Sequence, residues 1–273
     1  MNKRIFPVIL VVIGLVCFGG YLTVNKGKKD KEDKGGGVSN PAVQELYTQA
    51  MTMGENNELA KAKEVYRQIV NDHPDFKEID TVQKQLEEVS MKIIFSSLET
   101  PDTVIHEVKA GDTLGKIAKE YNTTMDLIKR RNNLKSDTIR LGQRLSIWKG
   151  IFSIFVDKSQ NTLMLKANEE VVKIYRVSTG VNNSTPVGTF IIANKLVDPV
   201  WYKSGAIIPP ESSDNALGSR WMGFDIPGYG IHGTIEPDRI GQQITAGCVR
   251  MRKEDVEELY SLLPVGTKVT IVD

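Results

Sequence analysis

Hydrophobic and polar residues change their pattern several times along the chain, and each change marks a segment. Lys3 and Arg4 precede an uncharged, mostly apolar run over residues 5–24. At about 1.5 Å per residue, a helix of that length crosses a hydrocarbon core of roughly 30 Å. Residues 1–24 are therefore expected to be a transmembrane anchor. A cleaved signal peptide is the alternative, although its apolar region is shorter, about 7–15 residues. Cys17 raises lipidation as a third reading, against which stands the β-branched Val16 before it. Lysines follow the run as well as precede it, so charge does not orient the span. Residues 25–40 are rich in Lys, Asp, Glu and Gly and read as a flexible, solvated linker.

From Pro41 the apolar period becomes helical. Leu46, Ala50 and Met53, then Ala62, Tyr66, Ile69 and Val70, recur at three- and four-residue spacing. Gly54 with Asn56 and Asn57 breaks the first helix, and His73-Pro74 stops the second. Residues 80–94 supply a third helix that caps the apolar face. The frame 43–76 resembles one tetratricopeptide repeat, with Ala50, Ala62, Tyr66 and Pro74 in place but the early Trp missing. A single repeat cannot bury its face alone. The segment 41–98 is thus a short all-α, TPR-like unit, serving as a spacer or docking a protein partner.

Residues 104–148 alternate differently. His106-Glu-Val108 reads as a short strand, and Lys109-Ala-Gly-Asp112 as a turn able to cap a helix starting near Thr113. Leu114, Ile117, Ala118 and Tyr121 form one helical stripe. Thr124 caps a second helix, which Met125, Leu127 and Ile128 face inward, and Arg144-Leu-Ser-Ile-Trp148 closes as a strand. The whole stretch resembles the LysM domain. That resemblance implies an α+β βααβ module binding N-acetylglucosamine-containing glycans such as peptidoglycan. His106 is read as a packing or surface residue and not as a ligand.

Residues 151–273 carry short β-rich runs separated by turns at roughly ten-residue spacing, as in Ile151-Phe-Ser-Ile-Phe-Val156 and Thr162-Leu-Met-Leu-Lys166. This pattern predicts a mainly-β sandwich or barrel. Residues 255–263 are its one clear helix, before a last strand over 268–272.

Bulk properties narrow the chemistry. The chain has 273 residues, long enough for two or three domains, and a formal net charge of +1, which gives no case for a nucleic-acid partner. Its three histidines and two cysteines are too scattered for a Cys/His metal site, and no cofactor is expected. Gly228-Tyr-Gly-Ile-His-Gly233 spells GxGxxG, but Pro237 follows and no helical stripe begins there, so the dinucleotide reading lacks its context.

Cys248 is the only cysteine beyond the apolar run, and it sits in Gly247-Cys-Val-Arg-Met251 downstream of Gly230-Ile-His-Gly-Thr234. A thiol attacks as its thiolate, which a nearby imidazole or cation favours. Gly247 and Gly233 remove side chains where a substrate backbone would approach. Together with Tyr175-Arg-Val-Ser-Thr-Gly180, Thr185-Pro-Val-Gly-Thr-Phe190 and Leu217-Gly-Ser-Arg-Trp221, these motifs resemble, in order, the catalytic domain of YkuD-type L,D-transpeptidases. The resemblance implies Cys248 as nucleophile, His232 as its base and the Gly233 carbonyl as the acceptor that fixes the imidazole tautomer. It also implies backbone donors at Gly247-Cys248 for the oxyanion. Arg250 would grip a stem carboxylate or brace the cysteine loop. Thr245, Trp221, Tyr229 and Tyr202 are candidate cleft residues, each equally a core or rim residue. The family often has Ser-His-Gly-Cys, where this chain reads Thr245-Ala-Gly-Cys, so Ala246 cannot hydrogen-bond substrate.

The activity so implied is 3→3 cross-linking of peptidoglycan through a cysteine thioester, with D-alanine released. An L,D-carboxypeptidase at the same site and a non-catalytic wall-binding scaffold are the alternatives. The expected location is the cell membrane, with the catalytic domain outside facing the wall.

Overall fold

The computed structural model describes residues 40–203 and 205–273. The expected anchor, and all of the expected linker except Asn40, lie outside the described residues. Among the described residues no helix is long and apolar enough to cross a membrane.

Asn40 opens the first helix, α1 (Pro41–Glu55), by accepting the Ala42 N–H at 3.1 Å. Pro41 sits in the first turn, where its missing N–H costs nothing. Helices α2 (Leu59–Asp72) and α3 (Ile79–Phe95) follow. Ala50 and Ala62 are fully buried beside Tyr47, Tyr66 and Ile69, and their small side chains let the helices approach. Val82, Leu86 and Val89 of α3 cover this face, which the first two helices could not bury alone.

Strands β1 (Thr103–Glu107) and β2 (Arg144–Trp148) pair antiparallel around α4 (Leu114–Glu120) and α5 (Met125–Arg131), giving a βααβ unit. Thr113 and Thr124 cap the two helices, accepting from Lys116 N–H at 3.2 Å and Leu127 N–H at 3.0 Å. Asp112 does not cap α4, contrary to the sequence expectation. Its carboxylate accepts the Lys109 N–H at 2.7 Å and lies 2.9 Å from His106 Nε2. His106 is buried, with its other nitrogen 3.1 Å from the Tyr121 hydroxyl.

The remaining strands are β3 (Phe152–Asp157), β4 (Thr162–Ala167), β5 (Glu170–Arg176), β6 (Thr179–Gly180), β7 (Gly188–Val197), β8 (Trp201–Lys203) and β9 (Ala206–Ile208). They continue with β10 (Arg220–Phe224), β11 (Gly230–His232), β12 (Gln243–Thr245), β13 (Val249–Arg250), then helix α6 (Lys253–Leu262) and β14 (Lys268–Val272). Eight strands form one sheet in the order β13-β11-β10-β7-β14-β3-β4-β5. The segment is mainly β, and its closure is partial. The two ends of the sheet meet through one bridge, in which Ser178 and Arg250 exchange N–H to carbonyl bonds of 2.8 Å each. Local spacing could not reveal this, because the late strand β14 inserts between β3 and β7 and runs parallel to β3.

The apolar core of this sheet includes Ile154, Leu165, Ile192, Met222, Ile231, Val249, Val256 and Leu259, and it continues into Met91 and Ile94 of α3, Leu127 of α5 and Trp148 of β2. The three segments therefore share buried apolar surface. Arg131 fastens them. It is 2% exposed, and its guanidinium donates to the carbonyls of Ile93, Ile94 and Leu98 and to Ser146 Oγ. Two of those carbonyls belong to the last turn of α3, where the Ile93 carbonyl also accepts from the Ser96 N–H and hydroxyl. Burial pulls the Arg131 pKa down to about 10, so it stays charged at neutral pH. Thr124 adds a hydroxyl bond to the Ser261 carbonyl of α6. Arg130 lies over the Phe95 ring at 3.3 Å, and Lys63 and Arg67 pair with Glu170 of β5.

Replacing Arg131 by Met keeps much of the volume but takes the guanidinium donor from the Ile94 carbonyl and Ser146 Oγ. Arg131→Met is expected to lower unfolding stability by about 2–4 kcal/mol. Urea denaturation measures this, and an unchanged midpoint would show the bracket to be dispensable.

Candidate active site

One row of residues crosses four strands. Leu196 of β7 is opposite Trp221 of β10, Trp221 is opposite His232 of β11, and His232 is paired with Arg250 of β13. Side chains alternate along strands. Met222, Ile231 and Val249, which intervene, are fully buried in the core. The row therefore projects from the other face of the sheet, away from the core.

His232 is nonetheless buried, at 4% exposure. The Trp221 ring stacks on it with centroids 6.0 Å apart and planes 24° apart, and Trp221 Nε1 donates to Asn194 Oδ1 at 3.1 Å. Nδ1 of His232 lies 2.7 Å from the Gly233 carbonyl, which can only accept, so Nδ1 carries the proton and Nε2 the lone pair. Burial pushes the His232 pKa down to about 4. The charge of Arg250 adds to this shift, while backbone groups of Gly233, Leu217 and Ala216 oppose it. At neutral pH the ring is a neutral imidazole.

Cys248 stands one residue before β13, so it shares the face of Arg250 and His232. It is half-buried, and its thiol donates to the Gly228 carbonyl at 3.4 Å. Burial pushes the thiol pKa up, against the opposing pull of the Gly230 backbone and the Arg250 charge. Among the described residues no hydrogen bond joins the sulfur to the imidazole. The pair therefore rests as thiol and neutral imidazole on one face of two adjacent parallel strands, not as a pre-formed thiolate–imidazolium pair.

The cysteine loop is braced from within. Thr245 Oγ1 accepts the Gly247 N–H at 3.2 Å and donates to the Cys248 carbonyl at 2.7 Å. The Gly247 N–H is thus already used. The Cys248 N–H has no partner among the described residues and is the donor left at the turn. Gly247 has φ +135°, and a Cβ there would lie 2.6 Å from the Tyr229 ring. At Gly233 a Cβ would come within 3.3 Å of the Leu217 carbonyl. Both glycines admit the protein's own neighbours, whereas the sequence reading assigned that space to substrate. Tyr229 accordingly packs against the cysteine loop and the core.

Arg250 Nη1 lies 3.0 Å from Glu236 Oε2, an ion pair within the protein. Ala246 is exposed and presents only a methyl group. Tyr202 is 74% exposed on the β8–β9 hairpin. Among the described residues no group of three His, Cys, Asp or Glu side chains is placed to hold a metal ion. Two cavities, about 690 and 540 Å³, lie among α2, α3, α5, β5 and α6, away from Cys248.

Three supporting residues escaped the sequence reading. Glu236 holds Arg250. Ser178 is fully buried, and its hydroxyl donates to the Arg239 carbonyl at 2.9 Å while accepting the Gly241 N–H at 3.2 Å. Asn215 ties the base of the β8–β9 hairpin to the strand covering His232, donating to the Pro199 carbonyl at 2.9 Å and accepting from Leu217 N–H at 3.0 Å. Only Glu236 had a usable signal, a carboxylate close after the His-Gly motif in a loop that must carry a counter-charge for Arg250.

Known proteins resemble this chain over its two C-terminal segments. The family model described as "YkuD: L,D-transpeptidase catalytic domain" matches residues 152–271, and the LysM domain model matches residues 106–148. "Putative L,D-transpeptidase YqjB" of Bacillus subtilis is 38% identical over 126 residues, covering 44% of this chain and 70% of the relative. "Putative L,D-transpeptidase YkuD" of Bacillus licheniformis is 32% identical over 177 residues, covering 62% of this chain and 98% of the relative. Among solved structures, an L,D-transpeptidase from Mycobacterium tuberculosis H37Rv overlays with a TM-score of 0.40 at 17% identity, over 47% of this chain and 64% of that one. The chain belongs to the YkuD-type L,D-transpeptidase family, with a LysM domain ahead of the catalytic one.

Proposed function

We propose that this chain cross-links peptidoglycan 3→3, with Cys248 as nucleophile and His232 as its base. The observation that carries the reading is the shared face of Cys248 and His232 on β13 and β11, flanked by Arg250. The tetrapeptide stem lies along the open face, with the carbonyl of its third residue against the sulfur. The thiol leaves the Gly228 carbonyl, its proton passes to Nε2 of His232, and the sulfur–carbon bond forms. The Cys248 N–H meets the developing oxyanion, a contact whose loss typically costs about 3–4 kcal/mol in such sites. The imidazolium then protonates the departing D-alanine as the peptide bond breaks, leaving a thioester. A side-chain amine of a neighbouring stem attacks the thioester and releases the thiol. The cleaved D-alanine bond compensates for the new amide, so no nucleotide is needed.

The LysM unit grips the glycan while the cysteine works on the peptide. Its attachment through Arg131 and Thr124 favours a fixed offset between the two sites. The α1–α3 segment acts as the bracket of this arrangement. Residues 1–24 anchor the chain in the cytoplasmic membrane, with the catalytic segment outside.

Two outcomes test the reading. Wild-type chain incubated with purified disaccharide-tetrapeptide is expected to give a dimer lacking one D-alanine by mass spectrometry, and Cys248→Ala none, with glycan pull-down retained. A tripeptide product alone would move the assignment to the carboxypeptidase, and turnover by Cys248→Ala would end the thioester mechanism. Because burial raises the thiol pKa and keeps His232 neutral, the iodoacetamide alkylation rate at Cys248 should keep rising through pH 9. A plateau between pH 5 and 7 would instead indicate a resting ion pair.

A further inference from the structure

Glu236 lies on the connection after β11, and its side chain is 44% exposed, yet both carboxylate oxygens are engaged. Oε2 is 3.0 Å from Arg250 Nη1, and Oε1 is 3.2 Å from Arg239 Nη1. Arg239 ends the short 3-10 turn Pro237–Arg239. Its carbonyl accepts from the Ser178 hydroxyl at 2.9 Å, and Ser178 in turn exchanges two backbone bonds with Arg250. These contacts close a ring: Glu236, Arg250, Ser178, Arg239 and back to Glu236.

Arg250 has no other carboxylate within ion-pair distance among the described residues, and its Nε is buried without a partner. The Arg250 side chain is 12% exposed, so packing confines its stem, and the Glu236 carboxylate sets where the guanidinium fork points. The titratable groups around Cys248 are His232 from β11, Tyr229 from the turn before it and Arg250 from the cysteine strand, with Glu236 and Arg239 behind Arg250. Arg250 is the cation that acts on both members of the pair, disfavouring the imidazolium and favouring the thiolate.

We propose that Glu236 is a positioning residue: its carboxylate, shared between Arg239 and Arg250, fixes the guanidinium beside thiol and imidazole and so governs how readily Cys248 becomes nucleophilic. This rests on the reading of Cys248 as the reacting thiol, but its test needs no peptidoglycan. Failure of the cross-linking assay and failure of this inference are therefore separate results.

Glu236→Gln and Glu236→Ala remove the same charge, but only Gln keeps an oxygen for Arg250. The difference between the two variants thus reads the hold and not the charge. The rate of iodoacetamide alkylation, mapped to Cys248 by peptide mass in the full chain, is followed against pH at low salt. Its midpoint is expected to lie about half a pH unit higher in Glu236→Ala than in Glu236→Gln, or about threefold slower below the midpoint. The difference is expected to vanish when Arg250→Met is added to both. Coincident profiles, or a difference that survives Arg250→Met, would overturn the proposal. Thermal melting by circular dichroism checks that each variant folds. Should the Ala variant fail, Glu236→Asp against wild type supplies the comparison at equal charge and shorter reach, with the same upward shift expected and an unshifted profile overturning it.

Discussion

Everything at the site depends on two parallel strands being paired in one register. Ile231 lies beside Val249, and His232 beside Arg250. Both apolar residues are fully buried, so the core selects the register, and a slip by one residue would drive an imidazole and a guanidinium into it. Burying two such β-branched side chains stabilises the correct pairing by about 1.5–3 kcal/mol each. The functional groups inherit their placement from that preference. The Ser178–Arg250 bridge then joins this edge of the sheet to the chain leaving β5, so the strand after Cys248 is held from both sides.

The electrostatics follow from the same burial. A ring covered by Trp221 and by the backbone at Ala216 and Leu217 loses solvation of its charged form, which outweighs the carbonyls that favour the proton. The half-buried thiol is shifted the opposite way, towards its own neutral form. Both partners are therefore neutral at rest. In the proposed mechanism, proton transfer waits for a substrate that draws the sulfur from Gly228 and excludes water, where the flanking Arg250 cation then counts for most.

Much of this was legible in the sequence. Helical period, Pro41, the Thr124 cap and the β-rich runs gave elements close to those observed, because each depends on near neighbours. Cys248 and His232 stood out because a lone thiol and an imidazole, each next to glycine, are rare enough to carry chemistry. The residues that position them did not stand out. Ser178, Asn215 and Arg131 act on backbone carbonyls far away in sequence, and a carbonyl leaves no trace in composition. The near-closure of the sheet was hidden for the same reason, since β14 finds its place between strands made much earlier. Asp112 misled because an acidic residue before a helix reads as a cap, whereas here His106 and the Lys109 N–H claim it.

The central claim is that the sulfur at position 248 accepts an acyl group. Intact-mass measurement after exposure to a carbapenem addresses it without assuming a natural substrate. The account predicts one acyl adduct per chain, mapped by peptide digestion to Cys248. An unmodified chain, or an adduct confined to another residue, would contradict it.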